Sequence, residues 1–361
     1  MVVFCVATLW VTTKNAPFSD RNKSFQAFLK TFEITSTIKI HTGDMKMEQL
    51  DYKIEFLSEL DQTMQPACFY KAAGDEPRPL VVALHTWSFG YDSDWTSYLI
   101  RCKKLNWHLI YPHFRGPNWT PDALGSDLVV SDLKSCVDYV KSVCKVDTDR
   151  IYLVGGSGGG HASLLLAARA SGLWTAVSSW CPISNVGKWH QQCFEKQRHY
   201  WKHIEDVCGG NPGTDETVAK DAAHRSPVTY LADAKNKTIV DIGTGIHDGH
   251  TGSVPISQAF DAFNLLADEA DRFSSEDIAY MVETEKIPEH LQFHGDDTAY
   301  GPYKVLLRRV SGNTRITIFE GSHDILYGPA FGFLQQQVRG QAPVWNSGTV
   351  YDGESNNELT K

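Results

Sequence analysis

No apolar run in this sequence approaches the ~20 residues that a membrane-spanning helix needs. Positive charge is also short: 34 Lys and Arg stand against 43 Asp and Glu, a net charge of −9 at pH 7, which argues against a phosphate-backbone binder. Proline and glycine number only 15 and 28, too few for a collagen-like or low-complexity chain. The eight cysteines (Cys5, Cys68, Cys102, Cys136, Cys144, Cys181, Cys193, Cys208) show no C-x-x-C pair and no metal-ligand spacing, so no metal is expected. Cys193 and Cys208 could pair locally if the protein is exported; scattered small apolar thiols are the alternative. Compartment stays open between cytoplasm and export. Residues 2–11 (VVFCVATLWV) have the length of a signal-peptide core, but no Lys or Arg precedes them and no clear small-x-small site follows.

What the sequence does have is the makings of a large core, with 42% hydrophobic and 21% charged residues in a chain of 361. From residue 80 onward, short β-rich apolar runs alternate with longer helical patterns, the mark of an α/β protein with a mostly parallel sheet and helices on both faces. Strands are expected at residues 80–85 (LVVALH), 108–112 (HLIYP), 151–154 (IYLV), 176–181 (AVSSWC), 238–242 (TIVDI) and 315–319 (RITIF). The clearest amphipathic helix spans 122–143, where Leu124, Leu128, Leu133, Val137 and Val140 share a face. Residues 47–56 and 67–72 read as antiparallel strands extending one sheet edge, and residues 1–44 are poorly patterned.

Two segments interrupt the alternation. Residues 184–237, rich in His, Trp and charge, follow a strand's carboxyl end, where open α/β sheets bind ligands, and are a candidate lid; a surface helix pair without a gating role is the alternative. Residues 265–309 read as a second, polar and helical insertion. The main domain is expected over 45–340, followed by a tail at 341–361.

The sharpest chemical signal is Gly155-Gly156-Ser157-Gly158-Gly159, a G-x-S-x-G pattern directly after IYLV and directly before a helical run at 161–170. Glycine neighbours allow the strained strand-to-helix turn that lifts a serine hydroxyl above the sheet, and the following helix adds its positive end where an oxyanion forms. Ser157 is therefore the expected nucleophile. A serine needs a base, and the base a third group to orient it. The loop GIHDGHTGSVP offers Asp248 as the carboxylate, with Asp241 inside the preceding strand as runner-up. RITIFEGSHD supplies His323 after the last strand, while His161, His85, His247 and His250 have readings in packing or local bonding. The oxyanion hole is expected from the N–H of Gly158 and that of Trp87, with Thr86 as the alternative. Trp180, Trp189, Tyr200 and Trp201 suggest an aromatic pocket, although core packing accounts for such rings equally well. Arg115 could bind a substrate carboxylate or form a structural salt bridge. No phosphate loop is present, and the serine at 157 breaks the spacing of a dinucleotide fingerprint, so no cofactor is expected.

With these residues in place, residues 45–340 resemble an S9-type serine hydrolase of the prolyl oligopeptidase superfamily, in the α/β-hydrolase fold. The resemblance is carried by LVVALHTWSFGY, YPHFRGPNWTPDALGSD, DTDRIYLVGGSGGGHASLLLA, CPISN, HRSPVTYL, GIHDGHTGSVPISQAF and ITIFEGSHD. It implies the Ser157, Asp248, His323 triad and acyl-enzyme chemistry. The large peptidases of that superfamily place a β-propeller before the hydrolase. Only about eighty residues precede the first core strand here, against ~40 per propeller blade, so a compact form without the gate is expected. Propeller-less relatives are commonly esterases, including ones acting on acylated or methylated polysaccharides. The resemblance thus points to a carbohydrate esterase taking a small-molecule or oligosaccharide ester, with an oligopeptidase-type serine peptidase as the alternative and a non-catalytic binding module as a third reading. His85-Thr86-Trp87 replaces the family's usual His-Gly-Gly loop. Glu205 and Asp206 form an acidic pair in the lid candidate that could hold a peptide amino terminus; a solvated helix face is the plainer reading.

Overall fold

The computed structural model describes residues 52–295 and 297–346. Cys5, the apolar stretch 2–11, the start of the strand expected at 47–56 and residues 347–361 lie outside the described residues. Among the described residues, one sheet holds β1 (Lys53–Leu57), β2 (Met64–Tyr70), β3 (Arg78–Leu84), β4 (His108–Pro112), β5 (Val146–Gly156), β6 (Ala176–Trp180), β7 (Ile239–Gly245), β8 (Val305–Ser311) and β9 (Thr314–Phe319), in the order β1-β2-β4-β3-β5-β6-β7-β9-β8. β4, β3, β5, β6, β7 and β9 run parallel. The β1–β2 hairpin extends one edge antiparallel on β4, and β8 closes the other antiparallel on β9. The central strands are buried along nearly their whole length because both of their faces are covered.

The helices are α1 (Thr96–Leu105), α2 (Asp127–Val143), α3 (Gly158–Arg169), α4 (Val186–Glu195), α5 (Tyr200–Cys208), α6 (Glu216–His224), α7 (Leu231–Ala234), α8 (Ser257–Leu266), α9 (Ser275–Thr284) and α10 (Tyr327–Leu334). α2 begins at 127 rather than 122 for a local reason. Leu124 and Gly125 both have positive φ (42° and 67°), which breaks any helix there, and Ser126 then caps α2 by accepting from the Val129 N–H. Val129, Leu133, Cys136, Val137 and Val140 form its buried stripe.

The segment 265–309 departs from its expected helical character. It holds α9 and short 3-10 turns, but its end is β8, whose alternating burial and two arginines suit an antiparallel edge strand. Residues 341–346 are also not a free tail: Trp345 stacks on Phe333 with ring centroids 5.7 Å apart, and its carbonyl accepts from Arg315.

The insertion 184–237 forms α4 to α7 and has a small core of its own, in which Val186, Trp189, Cys193, Ile204 and Val207 pack with Trp87, Leu124 and Val254 from the main domain. Burying a ring such as Trp189 is worth roughly 2–3 kcal/mol, so this insertion is seated rather than loosely hinged. Cys193 and Cys208 are both free thiols.

Candidate active site

Ser157 stands where β5 turns into α3, with φ 57° and ψ −118°, a region that side-chain-bearing residues rarely adopt. The strain is held from both sides. The Ser157 N–H donates to the Trp180 carbonyl (2.8 Å), and the Ser157 carbonyl accepts from the His161 N–H (2.9 Å). Glycines are required around it: a Cβ on Gly159 would lie 2.7 Å from the Leu84 carbonyl oxygen, and one on Gly156 would lie 2.3 Å from the Ile325 side chain. The amino end of α3 lies directly behind the serine and favours negative charge there. His161 packs below: burial lowers its pKa to about 4, and its Nε2–H donates to the Arg225 carbonyl.

The carboxylate and imidazole come from the loops after β7 and β9. Asp248 is 1% exposed; its Oδ1 accepts from the N–H groups of Gly249 (2.9 Å) and Val254 (3.0 Å), and its Oδ2 meets His323 Nδ1 at 2.7 Å. A carboxylate accepts only, so the proton in that contact is on Nδ1, which makes Nε2 the nitrogen that carries the lone pair in the neutral imidazole. Nε2 has Ser253 Oγ at 3.4 Å, and no hydrogen bond joins it to Ser157 Oγ. Apo sites often hold such contacts long until substrate arrives. The elements are nonetheless adjacent, because Gly156 abuts Ile325, two residues past His323. Asp241, the runner-up, lies apart from this pair, bonded to Arg315 Nε at 2.7 Å with both side chains buried.

Cys181, with φ 44°, offers its sulfur within 4.8 Å of Asp248 and His323 ligand atoms. That spacing suits a metal, but the chemistry does not. Burial and the neighbouring Asp248 charge push the thiol pKa well up, so it stays protonated and donates to the Asp324 carbonyl at 3.4 Å. Asp248 is already committed to three donors.

On the oxyanion side, the backbones of Gly158 and Trp87 touch: a Cβ on Gly158 would lie 2.8 Å from the Trp87 nitrogen and 2.7 Å from Asn118 Nδ2. Thr86, the alternative, uses its carbonyl for the Phe89 N–H and His85. Asn118 escaped the sequence reading, since a lone Asn in a loop carries no motif.

Three expected substrate contacts are corrected. Arg115 is tied to Asp132 on α2 (2.7 Å) and to Asp61 in the β1–β2 turn (2.7 Å), and holds the Asp61 carboxyl well below its usual range. Trp180 is wholly buried in the sheet, its ring against Gly243 and its Nε1–H given to Ser178. Trp189 is 1% exposed, stacks on Tyr200 and donates to the Ser253 carbonyl (3.2 Å). The Glu205 half of the acidic pair is engaged by His190 at 3.0 Å.

The insertion also clamps the Asp248 turn. Lys196 donates to the Gly249 carbonyl (2.6 Å), and Arg198 to the carbonyls of Gly249, His250 and Gly252. On the same turn His247 bonds Glu285 (2.6 Å) and Glu320 (2.7 Å), which raises its pKa. Thr251 and Ser322 hydroxyls join the two loops at 2.7 Å.

The sequence profile of the prolyl oligopeptidase family matches residues 114–292, a stretch that contains Ser157 and Asp248. The chain belongs to the prolyl oligopeptidase family. Solved structures of this family's catalytic α/β-hydrolase part have the same fold. A Pyrococcus horikoshii acylaminoacyl peptidase is 14% identical, with TM-score 0.55 over 84% of this chain and 45% of that one. An acylaminoacyl peptidase in complex with Z-Gly-Gly-Phe-chloromethyl ketone is 17% identical, with TM-score 0.53 over 82% and 43%. A Mycobacterium tuberculosis puromycin-hydrolyzing peptidase is 15% identical, with TM-score 0.50 over 79% and 40%. The chain thus spans 40–45% of the length of these structures. No curated protein matches the sequence.

Proposed function

We propose that this prolyl oligopeptidase-family hydrolase cleaves amide bonds of short peptides or aminoacyl compounds through an acyl-enzyme on Ser157. The observation that carries the reading is the Asp248–His323 bond, which orients the imidazole through Nδ1 and reserves Nε2 as its base nitrogen, on a loop that abuts the Ser157 turn. In the reaction, Ser157 Oγ attacks the substrate carbonyl as His323 Nε2 takes its proton. The N–H groups of Gly158 and Trp87 receive the oxyanion, and His323 returns the proton to the leaving amine. Water then repeats the sequence to free the acid.

An amide substrate is favoured over a carbohydrate ester because the residues that suggested sugar or uronate binding, Trp180, Trp189 and Arg115, are engaged in packing and ion pairs. The named structural neighbours are peptidases, which supports the same choice. The test compares a p-nitroanilide with the matching p-nitrophenyl ester, using Ser157→Ala as the blank. Cleavage of both, abolished in the variant, is expected. Ester-only turnover would restore the esterase reading, and turnover that survives Ser157→Ala would remove the nucleophile.

A further inference from the structure

Buried amide donors nearly always have a partner, and one without stands out. Asn118 is 2% exposed, and its Nδ2 has no hydrogen-bond partner. Two of its other polar groups are used: the backbone N–H donates to the Trp87 carbonyl at 2.9 Å, and Oδ1 accepts from the Leu124 N–H at 3.0 Å. Those bonds fix the side chain's orientation. Turning the amide over would set Nδ2 against the Leu124 N–H, donor facing donor, so the unpaired donor is where the hydrogen-bond network puts it. The surroundings are equally specific. A Cβ on Gly158 would lie 2.7 Å from Nδ2 and 2.8 Å from the Trp87 nitrogen, and Asn118 sits on a loop bearing positive φ at Phe114, Arg115 and Leu124. Strain and an unpaired donor together mark a place where binding, not folding, completes the bonding.

We infer that Asn118 Nδ2 is a third oxyanion donor, acting with the N–H groups of Gly158 and Trp87 on the carbonyl oxygen of the bound substrate. This rests on the serine-hydrolase reading above. As negative charge builds on that oxygen, a neutral amide held in place strengthens its bond without reorganising. A side chain also does what a backbone N–H cannot: it leaves the loop at residue 87 free to depart from the His-Gly-Gly pattern while the oxyanion keeps its full set of donors.

The test is Asn118→Asp, which keeps the acceptor for Leu124 and the backbone bond to Trp87 but turns the donor into an acceptor. With the melting temperature unchanged, kcat on the ester and the anilide should fall at least ~100-fold while KM holds within about threefold, as for loss of one oxyanion donor. Affinity for a peptide boronic acid, whose adduct on Ser157 is tetrahedral, should fall in step with kcat. A folded Asn118→Asp variant with near wild-type kcat and boronate affinity overturns the inference. Should that variant melt early, Asn118→Ala decides: kcat and boronate affinity falling together support it, and a raised KM with kcat held assigns Asn118 to structure alone. A wild-type chain with no Ser157-dependent turnover overturns the hydrolase reading itself, an outcome distinct from either.

Discussion

Two insertions grip the same turn, residues 247–253, with different chemistry. From 184–237, Lys196 and Arg198 reach neutral backbone carbonyls, and Trp189 adds an indole N–H to the Ser253 carbonyl. From the second insertion, Glu285 holds His247 together with Glu320, and the Val282 carbonyl holds His250. The first grip uses cations that stay charged throughout the working pH range and acceptors that never titrate. The second depends on a histidine being protonated. One carboxylate turn is therefore fixed on one set of contacts and pH-dependent on the other. The comparison also changes what the first insertion is: the candidate lid is a brace for Asp248.

The most damaging way to break the comparison is Arg198→Ala. It strips the donor from three carbonyls, and hydrogen bonds from a charged group are worth about 1.5–3 kcal/mol, so the melting point should drop by several degrees. As Asp248 loses its fixed place, kcat should fall on the order of tenfold with KM nearly unchanged. Wild-type kcat and melting point in that variant would show the brace to be idle.

A smaller effect, but a sharper one, is expected at His247. Its pKa is raised in the fold by Glu320 and Glu285, so its stabilisation is fully present below the unfolded value near 6.5 and is lost as pH rises through the higher folded value. The melting-point gap between wild type and His247→Gln should be widest at acidic pH and close in alkaline buffer. A gap that is constant with pH would make the two grips alike. Smallest of all, Lys188→Ala removes a half-exposed pair with Asp261 between α4 and α8, and should cost at most about 1 kcal/mol by chemical denaturation. A larger loss would place the brace's strength at that helix contact.

Much of this arrangement was legible in the residues themselves. Short β-rich apolar runs such as those in β3 and β5 mark the central strands, and a glycine-flanked serine between strand and helix has few structural alternatives, so the turn at Ser157 and the loops carrying Asp248 and His323 could be placed from local pattern. What failed shares one cause. Arg115 has its partners at Asp61 and Asp132, far off in sequence, and no local pattern announces them. Trp180 sits in a strand buried on both faces, so alternation gives no direction for its ring. β8, with Arg308 and Arg309 on a half-covered edge, has the polarity of a surface helix until its antiparallel pairing to β9 is seen. Asn118 could have been found only by asking which buried donor goes unpaired, a question that needs coordinates.

The turn at Ser157 also bears on how this protein can age in evolution. Its flanking glycines face backbone or packed side chains at distances no side chain could share, so their codons are nearly frozen. The serine is the opposite case: at φ 57° a glycine would sit more comfortably, and Ser157→Gly relieves strain while deleting the nucleophile. Inactive descendants are therefore one step away and should be at least as stable as the parent. In a lineage they would be recognised by an intact glycine run around a missing hydroxyl.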